Sequence, residues 1–204
     1  MDTDRYDRHN GDRTWREWLI SDAVLGTLVV LFTVATAYAA YRSSLADIKG
    51  GDLDINAQNS LILGTTTFLE ANMQFMQDIS AYNAYQLATP DDPEAAAAFL
   101  AQGSSFFQDG LTRENGPFDE TYENQLYDEA LNLFDESQDL QEQGDVADDL
   151  SQQFQVAAFI LAIGLAITAW ASLFDTRPRL RLVFTLLALP CLVMGLCLVV
   201  MTYL

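Results

Sequence analysis

The residues that could do chemistry are few and poorly spaced for it. One histidine, His9, stands in a charged N-terminal stretch, so a His-based catalytic triad or metal centre has no material. Cys191 and Cys197 lie six apart in one apolar run. On a helix they do not face one another, and they read as small packing residues rather than a disulfide. Asp52-x-Asp54-x-Asn56 opens like a calcium loop. The loop's sharp turn needs a glycine where Ala57 stands, and its closing glutamate is replaced by Leu63. The acid pairs Asp91-Asp92, Asp119-Glu120 and Asp148-Asp149 sit in hydrophilic stretches and read as solvated surface. There is no glycine-rich phosphate loop and no serine elbow. The expectation is a protein that is not an enzyme, with no cofactor and no metal site.

The charge is segregated. Of 29 acids, 22 lie in residues 42–155, beside only three bases, Arg42, Lys49 and Arg113, so that segment carries the whole net charge of −19. Such a chain repels phosphates and is not expected to bind nucleic acid. Its acids should instead gather a diffuse cation atmosphere. One lysine stands beside nine arginines. This acidic, lysine-poor composition resembles haloarchaeal proteins; an ordinary solvated acidic face is the alternative.

The apolar residues gather in three runs long enough to cross a bilayer: 18–41, 156–174 and 182–204. Their one charge is Asp22, near the start of the first run, where a carboxylate suits a helix N-terminus. A functional acid inside the membrane is the other reading of Asp22. Arg5, Arg8, Arg13 and Arg16 precede the first run, and Arg177, Arg179 and Arg181 fill the loop 175–181. Arginine-rich short segments stay cytoplasmic, which predicts a cytoplasmic tail at 1–17. Residues 42–155 and the C-terminus are then extracytoplasmic, in a multi-pass protein of the cell membrane. Arg42 alone argues the other way. Trp15 and Trp18, with Trp170 close by, fit an inner aromatic belt, and Tyr38, Tyr41 and Tyr203 an outer one. A cleaved signal peptide is the rival for the first run, because Ala37-Tyr38-Ala39 resembles a cleavage site.

The fold class that follows is all-α: three transmembrane helices plus an antiparallel helical hairpin, a coiled-coil-like stalk with a short helix at its tip. Prolines occur only at 90, 93, 117, 178 and 190, leaving two long proline-free arms. On the first arm, Ile55, Ile62, Leu69 and Met76 recur by sevens, beside a second column of Leu61, Phe68, Phe75 and Tyr82. Together they predict one broad apolar face. Gly50-Gly51 predicts a break before it, with Asp52 or Asp54 capping the restart. On the second arm, Leu126, Leu133, Leu140, Ala147 and Phe154 form a heptad column. Ala130, Ser137, Gly144 and Ser151 lie four residues further on. One helix should run from about 118 to 174, roughly 85 Å at 1.5 Å per residue. Asp92-Pro93-Glu94 reads as a helix start, and Asn115-Gly116-Pro117 as a turn.

The spans carry packing signals. Ala158, Ala162 and Ala166 repeat at fours, as do Gly164, Thr168 and Ser172. Small residues so spaced let helices approach closely. Pro190 should kink the third span or free a carbonyl.

The layout resembles an uncharacterised family of small prokaryotic three-span membrane proteins with a helical extramembrane segment. The residues that carry the resemblance are Asn56-Ala57-Gln58-Asn59 and Tyr82-Asn83-Ala84-Tyr85-Gln86. It implies the same layout and no known activity.

The functional expectation is an integral membrane structural or interaction subunit. Its partners would be the lipid bilayer and either further copies of itself, as a homo-oligomer, or another membrane protein. The alternative is an oligomeric channel or transport accessory with Asp22 and Pro190 near the path.

Overall fold

The computed structural model describes residues 21–89, 92–174 and 176–202. His9, the four N-terminal arginines, Trp15, Trp18, Asp91 and Tyr203 lie outside them. The described residues are helical, without strands. The elements are α1 (Asp22–Ala88), α2 (Pro93–Leu100), α3 (Ser105–Gly110), α4 (Glu120–Leu173) and α5 (Pro178–Met201). Helices α1, α4 and α5 each contain a stretch long and apolar enough to cross a membrane, with mean hydropathy of 2.0, 2.2 and 2.7.

The absence of proline explains the length of α1, 67 residues, and α4, 54 residues. Threonines inside α1 donate their hydroxyls to the carbonyl four residues back, as Thr33 does to Val29 and Thr66 to Ile62. The polar atom is thereby satisfied without leaving the helix. The expected break at Gly50-Gly51 is absent: α1 runs through both glycines, and Asp52 and Asp54 lie inside it and cap nothing. Gly50 is buried, one of the small residues on the packed side of the helix.

Two compact units divide the chain, 1–50 with 145–204 and 51–144. In the second, α1 and α4 lie antiparallel. Ser137 donates to the carbonyl of Ala57 at 2.8 Å, Tyr127 to Asn72 Oδ1 at 3.1 Å, and Tyr122 to Asp78 at 2.7 Å. The side of α1 turned to α4 is lined by small residues: Ala57, Ser60, Gly64 and Ala71 are all buried. The broad apolar face expected from two columns is therefore divided. Phe75 and Tyr82 are half-buried and, with the exposed Phe68, reach sideways onto aromatic rings, whereas Leu61, Ile55, Ile62, Leu69 and Met76 are exposed. Backbones approach closely only over small side chains, so the large aliphatics are turned outward.

Asp92 caps α2, accepting from the amides of Glu94 and Ala95, with Pro93 in the first turn. After α3, Gly116 takes φ of +90°, a left-handed conformation that favours glycine, and reverses the chain. Asp119 then accepts from the amide of Tyr122 and opens α4.

In the first unit, Phe32, Ala39, Phe154, Ala157, Leu161 and Ala188 form the core among α1, α4 and α5. Pro190 lies inside α5, which continues through it, and its side faces outward.

Candidate functional site

The second unit closes around a carboxylate. Asp78 is fully buried on α1. Its Oδ1 accepts from the Ser104 amide at 2.7 Å and from Gln74 Nε2 at 3.1 Å. Its Oδ2 accepts from the Ser104 hydroxyl at 2.5 Å and from the Tyr122 hydroxyl at 2.7 Å. The Ser104 oxygen in turn accepts from the Phe107 amide and caps α3. One side chain thus holds α1, the α2–α3 connection and α4 together. Four donors replace the water a buried carboxylate loses.

Aromatic rings seal this cluster. Phe118 lies 5.9 Å from Phe75, 5.8 Å from Tyr82, 5.4 Å from Phe107 and 5.3 Å from Tyr122, centroid to centroid. Edge-on and tilted arrangements of this kind are the favoured ones. Burial, reinforced by the adjacent Asp78, pushes the Tyr122 phenol well above its ordinary pKa. Burial also raises Tyr127, helped by Glu123. Asp119 is held below the usual carboxylate range, chiefly by the Tyr122 amide and then by Arg113, whose Nη1 lies 2.8 Å away; its partial burial opposes the shift.

In the first unit, Gly164 on α4 lets α1 and α5 come close. A Cβ there would lie 2.2 Å from Phe32 and 2.9 Å from Cys191. Thr168 is buried one turn on and donates to the Gly164 carbonyl. Of the alanine stripe, Ala158 is half-buried while Ala162 and Ala166 face outward. A step of four residues turns about 40° too far per repeat, so a stripe at fours winds off the contact. The buried set is Phe154, Ala157, Leu161, Gly164, Thr168 and Ala171, alternating steps of three and four. Arg42, which stood against the other arginines, has its guanidinium 5.7 Å from the centre of the Phe154 ring. Beside it the hydroxyls of Ser43 and Ser151 are 3.1 Å apart. Asp22 forms an ion pair with Arg181, whose side chain is buried.

On α4, Leu126 is buried and Leu133 and Leu140 are half-buried. Cys191 and Cys197 are free thiols. Among the described residues, no group of three or more His, Cys, Asp or Glu could hold a metal ion. Hydrophobic periodicity does not mark Asp78, although it continues the series Ala57, Gly64, Ala71 by sevens. An acid in a column of small residues was the available signal.

No family model, curated protein or solved structure matches the chain. The site must be read from its own geometry. That geometry holds helices together: its polar groups are directed at one another, and its aromatic rings fill the space between elements.

Proposed function

We propose that the protein is an integral membrane interaction subunit, anchored in the cell membrane by α1, α4 and α5. It displays residues 42–155 outside the cytoplasm as a helical stalk. The observation that carries this reading is that α1 and α4 each join a membrane-length apolar stretch to a long acidic one in a single helix. Buried hydrogen bonds and rings spent on joining helices support a structural role over a chemical one. The seven arginines flanking the first and third runs support the orientation.

The test is accessibility. Single cysteines at Arg8, Gln143 and Thr176, in a background without Cys191 and Cys197, are exposed on intact cells to an impermeant thiol reagent. Only the Gln143 site should react. Labelling at Arg8 would overturn the orientation, and recovery of the protein in the soluble fraction would overturn the anchor.

A further inference from the structure

Among the described residues, one face of α1 in the second unit has no partner. Ile55, Ile62, Leu69 and Met76 recur every seven residues and are 58 to 64 % exposed. Leu69, Asn72, Met73, Met76 and Gln77 line a shallow apolar groove at one end of the stripe. The charge around it is as uneven as the hydropathy. No charged residue lies between Asp54 and Glu70, whereas α4 carries eight acids and no base from Glu120 to Gly144.

We propose that this face docks a second copy of the same chain, α1 against α1. Two observations select that occupant. A basic partner would be drawn to α4 rather than to an uncharged stripe, since opposite potentials steer association. A second copy carries the same net charge of −19, and this is the face on which two copies meet without stacking acid on acid. The spacing by sevens is also the pattern two helices need to stay in register along a seam, and each copy supplies it. A stripe from Ile55 to Met76 is about 32 Å long and roughly a helix diameter, about 10 Å, wide. That is about 300 Å² per copy, below the roughly 800 Å² per partner of interfaces between freely diffusing proteins. The inference therefore rests on the membrane anchor proposed above, because copies confined to one membrane associate at high effective concentration.

The test uses the full-length protein in native membranes, with Cys191→Ala and Cys197→Ala. Ile62→Cys or Leu69→Cys is then treated with a short bismaleimide. Copies anchored in one membrane point the same way, so the twofold axis of an isologous pair runs along the stripe and both variants should give a cross-linked dimer. Glu136→Cys, on the acidic helix, should not. In mild detergent, Ile62→Glu with Leu69→Glu should convert a dimer to monomers by native mass, with circular dichroism unchanged because both positions are exposed. Stripe variants that stay monomeric, that cross-link only to other proteins, or that cross-link no better than Glu136→Cys would overturn the docking face. Loss from the membrane fraction would overturn the anchor alone. The cross-link pattern judges the stripe in either case.

Discussion

At the scale of single residues, Asp78 is the position where one substitution should do most. Its carboxylate takes four hydrogen bonds, two of them from Ser104. Asp78→Ala leaves the Ser104 amide and the Tyr122 hydroxyl without an acceptor in a closed site. Each orphaned group costs about 1–3 kcal/mol. The expected loss of stability is about 3 kcal/mol, read as a lower melting temperature of the detergent-solubilised protein. Asp78→Asn keeps the shape and one acceptor and should cost less. Equal melting of Asp78→Ala and wild type would mean that the cluster contributes nothing. The same cluster sets an alkaline limit. The Tyr122 phenol is raised in the folded state, so its contribution is fully present below its unfolded pKa, about 10. Above that value the unfolded chain releases the proton while the folded chain keeps it, and stability falls as pH rises. Melting temperature should drop past pH 10, and less steeply in Tyr122→Phe. Identical slopes in the two proteins would refute this account.

At the scale of helices, what matters is which side chains are small where two backbones meet. Gly164 faces Phe32 at a distance that leaves no room for a Cβ. Gly164→Leu should therefore cost stability typical of overpacking, about 1–3 kcal/mol, read as a lower melting temperature. Ala162→Leu, outward on the same helix, should be nearly neutral. If Ala162→Leu were the more damaging, the contact between α1 and α4 would lie on the other face. The sequence made the course of α4 legible, because proline is absent from 118–177 and a leucine column runs beside a column of small residues. The contact side of α1 was harder to read. Hydrophobic periodicity weights Ile55, Ile62, Leu69 and Met76, yet close packing selects Ala57, Gly64 and Ala71, which carry little hydropathy. Gly50-Gly51 misled for a related reason. Glycine weakens an isolated helix by about 1 kcal/mol, and tertiary packing along a 67-residue helix outweighs that. The Asp78 cluster was hidden because its partners lie 26 and 44 residues away.

At the scale of the whole molecule, the governing quantity is the charge of −19 confined to residues 42–155. Like charges at this density oppose the compact state, and the three bases of the segment offset little of it. Two of these bases are also engaged locally: Arg113 pairs with Asp119, and Arg42 stacks over Phe154. Mobile cations must supply the rest of the screening. The Debye length falls from about 30 Å at 0.01 M salt to about 3 Å at 1 M, shorter than the spacing of most acids along α4. The buried bonds around Asp78 lie out of reach of that screening, so salt should act on the acidic exterior and leave the cluster's contribution unchanged. For full-length protein in a non-ionic detergent, melting temperature should climb steadily between 0.01 M and 1 M KCl. The destabilisation by Asp78→Ala should be the same at both ends of the range. Sodium and potassium chloride should act alike, because a diffuse atmosphere does not distinguish them. A melting temperature that is flat across the range would remove the high-salt reading of the composition. A response confined to one cation would point instead to a discrete site among the acids.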